Sequence, residues 1–207
     1  MKILFVSATK EEISLLKEVN PAYHDLDFLV TGAGMVATAY ELTKYLSNKS
    51  FDLAINCGIA GSFDRSILIG EVVSVTEDIF SELGAEDGNE FLSLSKIGLE
   101  GKDFLQNTFS LRPFSNTPLR EVRGISVNTI HGNESSIKTV MNRYQPQIET
   151  MEGASFFFVC EKENLPSLQL RAISNYIERR NKNAWNIPLA LENLKVIVEK
   201  LISILLK

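Results

Sequence analysis

The sequence predicts an α/β fold: one three-layer domain over residues 1–207, with a central, mostly parallel or mixed β-sheet flanked by helices. Three observations carry that expectation. Short continuous apolar runs recur along the chain, the pattern of strands covered on both faces. Between them lie segments with the three-and-four spacing of amphipathic helices. Most of the apolar runs end in small or polar residues, and this alternation of strand and helix implies a layered sheet. A length of 207 residues is enough for one full domain and too short for two ordinary ones.

Taken in order, Ile3 to Ala8 is the first such run, and a helix follows over Lys10 to Val19, stopped by Asn20-Pro21. Leu26 to Thr31 reads as a second strand, running into Gly32-Ala33-Gly34 and a helix over Met35 to Leu46. Leu53 to Cys57 is a third strand, expected to end in a small-residue turn over Gly58 to Ser62. Glu71 to Phe80 alternates and is rich in valine, the mark of another strand. Residues 81–120 are polar and glycine-spotted, with one hairpin and one helix near Lys102 to Asn107. Val122 to Val127 is a strand, Glu134 to Arg143 a helix before Pro146, and Ile148 to Met151 leads into a helix over Ala154 to Asn164. Leu168 to Ile173 is the last strand. In the carboxy-terminal helix Pro188 suits the first turn, and Leu191, Leu194, Val198, Leu201 and Leu205 repeat at three and four.

Composition narrows the function classes. Lys and Arg number 21 against 26 Asp and Glu, a net charge of −5 that argues against nucleic acid or an anionic membrane as main partner. The two cysteines, Cys57 and Cys160, sit in apolar runs, which fits a reducing compartment rather than a disulfide framework. The two histidines, His24 and His131, have no Cys or His at ligand spacing, so no metal site is expected. The amino-terminal apolar run is too short for a signal segment or a membrane span, and a cytoplasmic location follows as the expectation.

In such folds ligands sit at the carboxyl ends of strands, so candidate residues are sought there. Gly32-Ala-Gly-Met-Val-Ala37 matches a loose dinucleotide fingerprint, but the next strand ends Ile55-Asn56-Cys57-Gly58 without the acid that would hold ribose hydroxyls. No cofactor is therefore expected. A tight turn that brings the backbone N–H groups around Gly34 near a small polar ligand fits better, beside a purely structural turn. The stretch holding Ile59, Gly58 to Gly61, would add a second close-approach floor for a planar or sugar-like group. Glu12 lies on the same helix face as Leu15, Leu16 and Val19, while Lys10, Glu11, Ser14, Lys17 and Glu18 face water. It is either a favourable first-turn charge or a partly buried acid–base group. Glu152, followed by Gly153-Ala-Ser155, is an ordinary helix-start glutamate or a carboxylate that accepts two ribose hydroxyls. Ser174 and Asn175 close the last strand; the amide suits a heterocycle edge or a helix cap.

Five stretches in this order resemble the nucleoside phosphorylase and nucleosidase superfamily: Ala8-Thr-Lys-Glu-Glu12, Thr31-Gly-Ala-Gly34, Asn56-Cys-Gly-Ile-Ala-Gly61, Glu149-Thr-Met-Glu-Gly153 and Arg171-Ala-Ile-Ser-Asn175. The likeness is greatest to the methylthioadenosine/adenosylhomocysteine nucleosidase branch and, within it, to futalosine hydrolases. The resemblance implies a homodimer in which Glu12 activates the attacking water, Met151 and Glu152 bind the ribose, and Ser174 and Asn175 face the purine, with Ile130 near the base. Adenine-specific members carry Asp where this chain has Asn175, whereas Asn suits a 6-oxopurine. The activity so implied is hydrolysis of futalosine to hypoxanthine and dehypoxanthine futalosine, a step of menaquinone biosynthesis. A mismatch at a buried base edge leaves a polar group unpaired, which is why this one position discriminates strongly.

Rival expectations are a methylthioadenosine/adenosylhomocysteine nucleosidase, disfavoured by Asn175, and a phosphorylase, disfavoured by the lack of an arginine pair near the glycine turns. A silent nucleoside-binding protein is disfavoured by the presence of both Glu12 and Glu152. The segment Glu178 to Trp185 is either a lid, with Arg179 or Arg180 pairing a substrate carboxylate, or a solvated charged loop tied down by Trp185.

Overall fold

The structure, a computed structural model, describes residues 1–17, 25–110 and 119–206, with the backbone alone at 15–17. Its first strand, β1 (Ile3–Ser7), is buried along its whole length, as a continuous apolar run requires. It lies parallel between β2 (Leu26–Val30) and β3 (Leu53–Ser62). The period of two divides its faces: Ile3 and Phe5 enter one hydrophobic layer, Leu4 and Val6 the other.

The remaining strands close on β3. Following the hairpin strands β5 (Gly84–Asp87) and β6 (Glu90–Ser93) and a two-residue β7 (Leu105–Gln106), the chain forms β8 (Arg120–Ser126), β9 (Ile148–Thr150) and β10 (Ser167–Tyr176). β3 pairs in parallel with β10, β10 antiparallel with β4 (Val72–Phe80), β4 in parallel with β8, β8 in parallel with β9, and β9 antiparallel with the end of β3. These five strands form a closed ring, with β1 and β2 extending from its β3 side. The sheet is therefore mixed, with most of its pairings parallel.

Helices cover the faces. α2 (Met35–Leu46) and α4 (Gly153–Lys162) pack Leu42, Phe156, Phe157, Val159 and Cys160 on the Leu4–Val6 side. α5 (Ile187–Leu205) lays Ala190, Leu194, Val198, Leu201, Ile202 and Leu205 on Ile3, Phe5, Leu53, Ile55 and Leu168. Each fully buried leucine in that stripe contributes about 1.5–3 kcal/mol of transfer free energy. Asn186 caps α5 by accepting from the Leu189 N–H at 3.2 Å. α3 (Glu134–Tyr144) covers Ile125 and Val127 with Val140. Both cysteines are buried and free, and burial pushes both thiols up.

Three expectations are corrected. Gly58 to Ser62 is not a turn but the second half of β3, because β10 runs beside it in register to Tyr176. Residues near Lys102 to Asn107 form no helix; Leu105 and Gln106 pair antiparallel with Asp78 and Glu77. The last strand does not stop at Ile173, and Ser174 and Asn175 lie inside β10, at a register shift between Ile173 and Asn175. The helix α1 (Lys10–Lys17) begins as expected. The stripe partners Leu15, Leu16 and Val19, and Glu18, Asn20, Pro21 and His24, lie outside the described residues or side chains.

Candidate active site

β1, β2, β3 and β10 are parallel, so their carboxyl ends share one edge, and β9 meets β3 at that edge from the opposite direction. Ile59, Ser174 and Asn175 lie on these strands, and Glu12 and Gly34 on the segments that follow β1 and β2; Met151 and Glu152 follow β9, and Ile130 follows β8, which runs opposite to β10.

Glu12 begins α1 with a reciprocal cap. Thr9 Oγ1 accepts from the Glu12 N–H at 3.3 Å, and Glu12 Oε2 accepts from the Thr9 N–H at 2.9 Å. The Thr-x-x-Glu spacing of this capping box was readable in the sequence. Glu12 Oε1 does something no cap requires: it accepts from the Ile59 N–H on β3 at 3.1 Å. The carboxylate, 7% exposed, thus both starts its helix and reaches the neighbouring strand end.

Gly58 makes room for a second charge. A Cβ there would collide with Arg171 Nη1 and stand 2.6 Å from Glu12 Oε1. The bare glycine lets guanidinium and carboxylate approach over the same stretch of β3. Arg171, in register with Gly58 on β10, is wholly buried. Its Nε donates to Gln169 Oε1 at 2.9 Å and its Nη2 donates to Asn56 Oδ1. Gln169 in turn donates to Asp78 Oδ2 at 3.1 Å, and Ser126 Oγ donates to Asp78 Oδ1 at 3.0 Å. Burial pushes the Asp78 carboxyl up to about 6, against these hydrogen bonds and the Arg171 charge, which act the other way. Ser126 Oγ also accepts from the Ala154 N–H at 2.8 Å, and Thr150 Oγ1 from the Gly153 N–H at 3.2 Å. This buried polar chain runs from beside Glu12 to the first turn of α4, directly after Glu152.

Glu152, 7% exposed, follows half-buried Met151 past the end of β9. Its Oε1 accepts from the Gly34 N–H at 3.0 Å. Among the described residues Oε2 has no hydrogen-bond partner, yet it is not sealed from solvent. Gly32 and Gly34 hold φ of 83° and 96°, a left-handed backbone that favours glycine, and this bends the chain so that the Gly34 N–H faces Glu152.

Asn175 pairs in register with Gly61 on β3, and a Cβ on Gly61 would stand 3.2 Å from Asn175 Nδ2. Its Nδ2 donates to the Tyr176 carbonyl at 3.1 Å, and its Oδ1 accepts from Ser174 Oγ at 2.8 Å. A flipped amide would set two carbonyl oxygens face to face, so this orientation is the one the backbone selects. Ser174 is 2% exposed, and its hydroxyl also lies 3.3 Å from the Ala60 carbonyl.

Ile130 is 40% exposed, on the loop between β8 and α3. Its neighbour His131 was not among the sequence candidates. Glu149, 1% exposed, accepts from the His131 N–H at 2.9 Å through Oε1 and contacts the ring Nδ1 through Oε2. Burial raises the Glu149 carboxyl, opposed by both contacts with His131. The segment Glu178–Trp185 is tied down locally: Glu178 pairs with Arg65, Arg180 stacks on Trp185, and Lys182–Ala184 forms a turn of 3₁₀ helix. Among the described residues no three His, Cys, Asp or Glu side chains gather where a metal ion would bind. None of their helices is long and apolar enough to cross a membrane.

Residues 28–205 match the phosphorylase superfamily. The chain belongs to that superfamily. Within the phosphorylase superfamily, the futalosine hydrolase of Thermus thermophilus is 28% identical over 182 residues, covering 85% of this chain and 80% of that protein. The futalosine hydrolase of Streptomyces coelicolor is 28% identical over 186 residues, covering 86% of this chain and 79% of that protein. Among solved structures, the futalosine hydrolase of Helicobacter pylori superposes with a TM-score of 0.82 at 18% identity over 98% of each chain. The 5′-methylthioadenosine/S-adenosylhomocysteine nucleosidase of the same organism gives a TM-score of 0.84 at 19% identity, covering 99% of this chain and 97% of that one. Both likenesses establish the superfamily fold, a mixed sheet flanked by helices.

Proposed function

We propose that this chain hydrolyses the N-glycosidic bond of a 5′-substituted purine nucleoside, with futalosine as substrate and hypoxanthine as the released base, a step of menaquinone biosynthesis. Breaking that bond builds positive charge on the ribose and negative charge on the base, as in glycoside hydrolysis. The reaction needs a group to take the water's proton, a group to fix the sugar and a group to steady the departing purine. Glu12 serves as base, Glu152 holds the ribose hydroxyls through its unpaired Oε2, with Met151 beside it, and Asn175 faces the purine. Gly34 and Ile59 line the approach with backbone, and Ile130 borders the base.

The observation that carries this reading is the fixed Asn175 amide. With Oδ1 engaged by Ser174, the amide has a remaining N–H to present, and a 6-oxopurine offers the matching acceptor. The names of the futalosine hydrolase relatives support the same substrate. We further propose that residues 1–207 act as one domain in the cytoplasm and as a homodimer. Val36 and Tyr40 on α2 and Phe158 on α4, apolar and exposed on adjoining helices, support the dimer.

The test is incubation with futalosine, inosine and methylthioadenosine, with and without phosphate, followed by chromatography of the released base. Phosphate-independent release of hypoxanthine from futalosine is expected. Phosphate-dependent release would make the chain a phosphorylase, and preferential release of adenine a methylthioadenosine nucleosidase.

A further inference from the structure

The antiparallel register of β9 on β3 sets Glu149 opposite Gly61, and the parallel register of β10 sets Asn175 opposite the same glycine. Side chains of directly paired residues project from the same sheet face. Glu149 and Asn175 therefore stand on one face, on either side of a position that carries no side chain. Glu149 is almost completely buried, so a carboxylate there must be met by donors. Both donors come from one residue: the backbone N–H and the ring of His131. The Phe63 ring meets the His131 ring edge-on at 6.3 Å, just past the end of β3. A Cβ on Gly132 would stand 3.9 Å from the backbone of Glu178 and Arg180, residues that closely follow Asn175. His131 also lines a cleft of about 230 Å³, together with Ser81, Glu82, Ser136, Thr139 and Arg143.

We infer that Glu149 is a positioning residue: by clamping His131 at both backbone and ring, it holds the Ile130–Gly132 segment over the sheet face that bears the Asn175 amide, and so shapes the base subsite. The inference rests on the nucleosidase reading above and adds to it a residue that touches no substrate. Among the described residues the two contacts with Glu149 are the only hydrogen bonds made by Ile130, His131 and Gly132; Ile130 and Gly132 are exposed, and α3 begins only at Glu134. Fixing a wall residue before the ligand arrives lowers the ordering cost of binding, so the effect belongs in KM rather than in kcat.

The test is steady-state hydrolysis of futalosine by the wild type and by Glu149→Ala, Glu149→Gln and His131→Ala, with hydrogen exchange of the His131 amide measured alongside. Glu149→Ala is expected to raise KM at least tenfold with kcat within threefold, and to speed exchange of that amide. Glu149→Gln, which still accepts from the N–H and donates to Nδ1 once the imidazole carries its proton on Nε2, is expected to restore KM to within threefold of wild type. His131→Ala removes the ring contact but keeps the backbone half of the clamp, so a smaller rise in KM is expected even if Glu149→Ala does not fold. Wild-type KM in Glu149→Ala or, should that variant not fold, in His131→Ala, or a Glu149→Gln as impaired as Glu149→Ala, overturns the inference while leaving the nucleosidase reading intact. A wild type that cleaves no nucleoside overturns the reading itself and the inference with it.

Discussion

Glu12 Oε1 lies 3.1 Å from the Ile59 nitrogen, 47 residues further along the chain. The contact takes a side chain that would otherwise serve only its own helix start and delivers it to the carboxyl edge of β3. Glu12→Gln keeps the shape and an acceptor but removes the proposed base. General-base assistance is worth about 10²–10⁴-fold, so kcat is expected to fall by that factor while nucleoside affinity stays within a few-fold. Single-turnover kinetics with calorimetric binding check this; a wild-type rate in the variant would remove Glu12 from its role.

Asn175→Asp replaces the remaining amide N–H with a second carboxyl oxygen. Cleavage of the oxopurine nucleoside is expected to drop by about 10²-fold, the cost of about 3 kcal/mol for one well-placed donor, while adenine nucleosides gain. Competition between inosine and methylthioadenosine, read as released base, measures the change. An unaltered preference would show that another residue reads the purine.

Gly58→Ala would place a methyl group where Arg171 Nη1 and Glu12 Oε1 now approach β3. Overpacking of this kind costs about 1–3 kcal/mol, and both charged side chains must move to relieve it. The expected outcome is a lowered Tm together with a loss of activity larger than the stability change explains. Thermal melts and kcat/KM on the same preparation separate the two, and a variant with undiminished kcat/KM would contradict the arrangement.

Asp78 gives a pH test. Its carboxyl titrates near 3.8 when unfolded and at about 6 in the fold. A folded value raised in this way means stability that is complete below about pH 4 and is lost as pH rises through 6. Over that window the wild type is expected to lose up to about 3 kcal/mol that Asp78→Asn does not lose. The comparison is one of slopes, since the substitution also disturbs the contacts to Ser126 or Gln169. Denaturant melts of both proteins between pH 4 and 7 provide it, and parallel slopes would show that Asp78 does not titrate there.

Much of the layered architecture was legible because burial leaves a periodic trace. Ile3 to Ala8 reads as a strand covered on both faces, and the α5 stripe reads as a helix because its leucines recur at three and four. The bounds of α2, Met35 to Leu46, follow from the glycines before it and the polar run after it. The glycine-rich second half of β3 was misread for a physical reason. Gly58 and Gly61 have the composition of a turn, but they are small because Arg171 and Glu12 crowd one and Ile177 and Asn175 the other.

The sequence by itself determined which segments are apolar, which faces they bury and which short motifs could carry chemistry, and so placed Glu12, Glu152 and Asn175 at strand or helix ends. Only the tertiary structure decided what those side chains meet. Glu152 bonds the N–H of a residue 118 positions away, Arg171 reaches Asn56 across 115, and Glu149 holds His131 across 18. Periodicity records how often a chain meets the core, which is local. Hydrogen-bond partners, and the closing of β3, β10, β4, β8 and β9 into a ring, depend on which strands become neighbours, and no short window of residues contains that information.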